Sequence, residues 1–173
     1  MKHEMKRKGF TLVELLIVIV VIGILASMMM LASNEAVSSA KAATIISDLT
    51  NMKTAALAYY ADNSGSTELN TNFDLEHIFP YLKRSNEADE DKSSLEKKGY
   101  GVFNYGDHDT WYAYCDLEKV TNSTSKTNME RKALLKKLGA KAESVGIVFS
   151  DAINGTGRTF KANSQRYVIM YIR

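Results

Sequence analysis

The sequence predicts an α+β fold: a long N-terminal α-helix, apolar in its first half and amphipathic in its second, packed on a small antiparallel β-sheet with one additional short helix. Three observations predict it. Residues 15–32 form an uncharged apolar run, an apolar stripe at helical spacing carries the same helix on to residue 61, and aromatic β-rich runs bounded by turn formers follow residue 99. At 173 residues the chain suits one compact domain plus an appendage.

The 18 residues of the apolar run lie at the short end of the roughly 17–25 that span a bilayer as a helix. Lys2, Lys6, Arg7 and Lys8 against Glu4 put the first eight residues at +3, whereas the rest of the chain nets −1. Because cytoplasmic flanks carry excess Lys and Arg, this asymmetry places the first nine residues inside and the remainder outside. An ordinary secretory signal cut at Ala32-Ser33 is one alternative. Its apolar core is usually only about 7–15 residues long, and a carboxylate such as Glu14 suits it poorly. A plain membrane anchor is another.

Residues 33–61 hold no proline and no glycine, so nothing in them ends the helix. Ala42, Ile45, Ile46, Leu49, Met52, Ala56, Tyr59 and Tyr60 recur at steps of three and four and line one face. Read from residue 10 to 61, the helix would be roughly 78 Å long at 1.5 Å per residue, well beyond a bilayer core. Its second half needs a cover.

At the head of the apolar run stands Lys6-Arg7-Lys8-Gly9-Phe10-Thr11-Leu12-Val13-Glu14-Leu15. A short basic leader, a glycine, an aromatic residue and a glutamate four places later inside an apolar helix closely resemble type IV prepilins and the related pseudopilins. The likeness is strong over residues 6–34 and architectural beyond them. It implies a leader peptide at 1–9, a transmembrane and filament-core half-helix at 10–32, and a globular head at 33–173. Within that head it implies an amphipathic helix at 33–61, a connecting loop at 62–99, and the sheet with its short helix at 100–173. Gly9 matches the last leader residue, Phe10 the N-methylated new N-terminus, and Glu14 the carboxylate that engages a neighbouring subunit's terminal amine. The partners so implied are prepilin peptidase, the assembly platform protein with its ATPase machinery, the membrane, and further copies of the chain in a helical filament. The precursor would sit in the cytoplasmic membrane and the mature form in surface pili serving adhesion, motility or biofilm formation. A minor pilin or a type II secretion pseudopilin is the alternative within the resemblance.

Physical chemistry supports the role of Glu14. A carboxylate among apolar residues costs roughly 2.5–3.5 kcal/mol at the bilayer centre on insertion scales, less near the interface. Cleavage after Gly9 would create a partner, since a free α-amine is largely positive near neutral pH. The competing reading makes Thr11-x-x-Glu14 a capping box that satisfies the first turn of the helix. Gly23 either loosens the helix or lets neighbouring helices approach closely. Many pilins carry a proline partway along this helix; here Leu31 and three methionines stand instead, and the only proline is Pro80.

In the body, residues 62–67 are turn formers that end the long helix, residues 73–82 suit a short helix interrupted at Pro80, and residues 85–98 read as a charged, solvated surface. Residues 100–105 and 110–117 read as a hairpin around Gly106-Asp107-His108-Asp109, a polar turn that lacks the second ligand cluster a metal site requires. Thr127-x-x-Glu130 opens the additional helix, expected to end near Ser144, and residues 145–149 and 166–172 read as a closing strand pair. Cys115 is the only cysteine, which excludes an internal disulfide and reads as a small buried side chain, with an intermolecular bridge or reactive thiol as alternatives. The missing staple departs from many Gram-negative pilins and resembles clostridial ones. Asn122-Ser-Thr and Asn154-Gly-Thr fit the N-glycosylation pattern, which three residues match easily by chance.

No Gly-rich phosphate loop, zinc spacing or nucleophile elbow is present, and His3, His77 and His108 are scattered, so neither catalysis nor a cofactor is expected. The near-neutral body offers no cationic footprint for nucleic acid.

Overall fold

The computed structural model describes residues 9–64, 73–82, 92–105, 110–122, 129–151, 153 and 165–173. It divides into two compact units, residues 1–37 and 38–173. One helix, α1 (Leu12–Asp62), runs through both.

In the first unit α1 is apolar and bare. Leu15, Ile17, Val20, Ile24, Leu25 and Met28 are all exposed, and none of the most apolar stretch is buried within the protein. Ser27 donates its hydroxyl to the Gly23 carbonyl at 2.8 Å, so even its polar side chain is satisfied along the helix.

The second unit holds the core. Ala42, Ile45, Leu49, Met52 and Ala56 of α1 are buried, while Ile46, Tyr59 and Tyr60 pack half-buried at the margin. This is the expected stripe, joined by Ala55 and Ser38. Opposite it lies a four-stranded antiparallel sheet of β1 (Tyr100–Tyr105), β2 (Thr110–Asp116), β3 (Ile147–Ser150) and β4 (Tyr167–Tyr171), ordered β1-β2-β4-β3. Alternation along the strands sends Val102, Trp111, Ala113, Cys115, Phe149, Val168 and Met170 into the same core as the α1 stripe. The opposite face carries Phe103, Tyr112 and Tyr171 in register across three strands, with ring centroids 5.3 and 5.8 Å apart. The last strand in the chain lies between β2 and β3, an order that pairs distant segments.

Short helices close the ends of this layer. The helix α2 (Leu75–Leu82) buries Leu75 and Ile78 and runs through Pro80, where the sequence suggested an interruption. Next, α3 (Lys92–Lys98) occupies part of a stretch read as plain surface, because Leu95 packs half-buried on the core. Gly99 then turns the chain into β1 at φ +93°, with a Cβ there meeting the Asp116 carbonyl oxygen at 2.9 Å, so glycine suits both the turn and the close approach. A further helix, α4 (Leu117–Val120), follows β2 directly and is capped by Asp116, whose side chain accepts from the Glu118 N–H at 2.9 Å.

The additional helix expected to reach Ser144 is two helices, α5 (Met129–Gly139) and α6 (Ala142–Val145). Gly139 is a poor helix former, and there the chain tightens, the Lys141 N–H reaching the Leu138 carbonyl at 3.0 Å. Val145 accordingly ends a helix rather than opening a strand, and Gly146 at φ 72° provides the left-handed cap before β3. Thr127, the proposed first member of the capping box, lies outside the described residues, as do residues 107–109 and Asn154.

Candidate functional site

The N-terminus of α1 brings the sequence-predicted residues together. Gly9 and Phe10 precede the helix in solvent-exposed chain, and Phe10 is 92% exposed. A Cβ at Gly9 would meet no atom within 4 Å. Thr11 caps the helix and Glu14 lies in its first turn. The Thr11 backbone N–H and hydroxyl each donate to Glu14 Oε2 at 2.8 Å, and the Glu14 N–H donates to Thr11 Oγ1 at 3.2 Å. That is a closed capping box, in which the carboxylate satisfies a first-turn donor and favours the positive end of the helix dipole. The capping reading therefore holds in this structure. It uses one of the two carboxylate oxygens for both described acceptances, and Oε1 has no protein donor among the described residues.

The glutamate is the third residue of a helix whose next charged residue is Glu35. Between them lies only apolar or uncharged chain. The arrangement provides an accessible junction at residues 9–10, an anchored carboxylate, and a bare apolar surface directly behind it.

The second unit holds a different polar cluster. Asp116 accepts from Arg166 Nε at 3.1 Å and Nη2 at 2.7 Å. Glu118 sits 3.1 Å from Arg166 Nη1 and 3.4 Å from Arg131 Nη1. Arg131 is 1% exposed and donates Nη2 to the Gln165 carbonyl at 2.7 Å. The hydrogen bonds that Arg166 donates to Asp116 raise its pKa, outweighing its partial desolvation. The cluster ties α5, α4 and the start of β4 together without a disulfide. Sequence reasoning missed it, because Asp116 and Arg166 lie 50 residues apart and no local pattern links them.

Cys115 is fully buried on the inner face of β2. Burial, with a smaller contribution from Asp116, pushes its thiol well above the ordinary range, so the reactive thiolate is suppressed. Of the histidines, His77 rests against Asp74 at 2.9 Å, beside the Tyr59 ring, and His108 lies outside the described residues. Among the described residues no group of three His, Cys, Asp or Glu could hold a metal. A groove of about 690 Å³ has Asp48 as the carboxylate among its described lining residues. Asp48 accepts from the hydroxyl of Tyr100, a phenol whose pKa is raised chiefly by burial.

A capped acidic residue thus heads a long helix whose apolar part fits a transmembrane anchor, and the rest of the chain forms a small α+β head. The family model of the prokaryotic N-terminal methylation motif matches residues 5–30, and that match indicates a type IV pilin-like prepilin. Pilin-like proteins are structural proteins, and the motif implies processing by prepilin peptidase and assembly into pilus-type machinery. No curated protein and no solved structure matches the chain.

Proposed function

We propose that this chain is the structural subunit of a type IV pilus, cut between Gly9 and Phe10, N-methylated at Phe10 and polymerised through its apolar half-helix into a surface filament. The observation that carries the reading is Glu14: a single carboxylate held at the first turn of a helix whose first half is otherwise uncharged, apolar and not covered by the protein itself. Residues 1–9 are the leader, residues 10–32 the membrane and filament-core segment, and residues 33–173 the head. The precursor is oriented with its basic leader in the cytoplasm. The role is architectural, not catalytic.

Cleavage turns the Phe10 nitrogen into an amine that carries charge and lies beside the box that holds Glu14. In the filament the amine of one subunit engages the Glu14 carboxylate of the next, whose Oε1 is open to it. Helix association within lipid gains little from hydrophobicity, because lipid tails are as apolar as leucine. Close packing of the half-helices and neutralisation of the carboxylate together favour the filament.

The test is the Glu14→Ala variant. Cleavage should proceed and the head should fold, while incorporation into sheared filaments is lost; normal filaments from this variant would remove the assembly role. The motif at residues 5–30 is equally that of minor pilins and pseudopilins. Copy number separates them, since a major pilin dominates a preparation of sheared filaments.

A further inference from the structure

The Thr11–Glu14 box decides where α1 begins relative to the Gly9–Phe10 junction. In an α-helix each N–H donates to the carbonyl four residues back. Were the helix to run on towards the leader, the Glu14 N–H would pair with the Phe10 carbonyl and the Val13 N–H with the Gly9 carbonyl. The Glu14 N–H goes instead to Thr11 Oγ1 at 3.2 Å. Among the described residues the first carbonyl to accept a helical bond is that of Thr11, from the Leu15 N–H at 3.3 Å. Gly9 and Phe10 stay outside α1, and neither makes a hydrogen bond among the described residues.

The Thr11 hydroxyl and the Phe10 carbonyl therefore compete for one donor, and the hydroxyl holds it. The consequence falls on the junction. A peptide bond wound into a helix has its carbonyl occupied and side chains packed around it, so cutting it waits on local opening. Here the Gly9 carbonyl is left open, and Phe10 projects into solvent at 92% exposure. Gly9, a poor helix former, works in the same direction.

We propose that Thr11 is a positioning residue for leader removal: by taking the Glu14 N–H it stops α1 short of the Gly9–Phe10 bond and keeps that bond in the non-helical form that prepilin peptidase takes up. The proposal rests on reading this junction as the cut. Hydrolysis there adds one water across the bond between the Gly9 carbonyl carbon and the Phe10 nitrogen, leaving a carboxylate on Gly9 and an amine on Phe10. Thr11 takes no part in that exchange and acts only through the start of the helix. The role is separable from that of Glu14. Glu14→Ala removes both bonds to Oε2 but leaves the backbone N–H of residue 14 on the Thr11 hydroxyl, so the helix still stops in the same place.

The experiment places the full chain in liposomes with prepilin peptidase and follows the appearance of the Phe10 amine by mass spectrometry over a range of precursor-to-lipid ratios. The unaltered chain is compared with Thr11→Val, Thr11→Ser and Thr11→Asn. Valine keeps the bulk of threonine but offers no acceptor, so the helical form competes; KM should rise, by up to about fivefold, with kcat unchanged. Serine and asparagine both cap helices well and should be processed like the unaltered chain. A peptidase subsite that read the threonine hydroxyl itself would reject asparagine, or would lower kcat for valine with KM held. Either result overturns the positioning role, as does processing of Thr11→Val with unaltered KM. An unaltered chain that is not cut between Gly9 and Phe10 overturns the leader reading, and the positioning role with it.

Discussion

Thr11 and Glu14 bind each other reciprocally: the Thr11 N–H and hydroxyl meet Glu14 Oε2 at 2.8 Å, and the Glu14 N–H meets Thr11 Oγ1 at 3.2 Å. The box fixes the carboxylate at the helix start before any partner arrives. Thr11→Ala removes two of the three bonds and should cost the helix start about 1 kcal/mol. Amide exchange at residues 12–15 in micelles should speed up about fivefold, while Thr11→Ser should behave as the unaltered chain.

Leu49 and Leu57 lie on the same helix in opposite environments. Leu49 is 0% exposed inside the core and Leu57 is 40% exposed. Leu49→Ala should destabilise the head by about 2–5 kcal/mol through lost burial and a cavity. Leu57→Ala should change it by less than about 0.5 kcal/mol. Urea unfolding followed by the fluorescence of Trp111, the only tryptophan, reads both. That ring is stacked 4.0 Å from Phe73, so its emission reports core packing directly.

Arg131 is the buried half of an ion pair with Glu118 and also serves the Gln165 carbonyl. Removing it takes the buried donor from the Gln165 carbonyl and leaves the part-buried Glu118 carboxylate with Arg166 as its remaining described partner. Arg131→Ala should therefore cost about 3–5 kcal/mol. Arg131→Lys should recover only part, because one ammonium lacks the fork that reaches both acceptors. The same urea titration measures each.

Burial raises the Cys115 thiol above its ordinary value, and burial with Cys115 and Asp48 does the same for the Tyr100 phenol. In both cases the native state holds its proton where the unfolded chain has begun to release it. The stability they contribute is complete below the unfolded thiol value of about 8.5 and falls as pH rises beyond it, with Tyr100 adding to the decline above about pH 10. The unfolding free energy from urea titration should accordingly drop between pH 8.5 and 10, by no more than about 1.4 kcal/mol per pH unit for each group. Cys115→Ala should flatten the first part of that decline.

What the sequence made legible was local. Steps of three and four from Ala42 to Tyr60 marked the buried face of α1, and the aromatic alternation of residues 100–105 and 110–117 marked β1 and β2. The position of β4 between β2 and β3 was not legible, because that pairing depends on packing between distant strands. Arg131 was equally hidden: it stands between Glu130 and Lys132 in a surface-like run, and its partners at 118 and 165 are distant in sequence. Gly139 could have signalled the break between α5 and α6, whereas α3 gave no cue beyond a single Leu95. The N-terminal methylation motif was the most legible part, since it is contained in consecutive residues, and the Thr11–Glu14 capping box within it is equally local.

The most direct test is the intact mass and N-terminal sequence of the subunit recovered from cells. A chain that starts at Phe10 and carries one methyl group on its terminal nitrogen is the predicted result. A chain that retains Met1, or that starts beyond residue 32, would contradict the account, because Glu14 would then lack either its amine partner or its place in the protein.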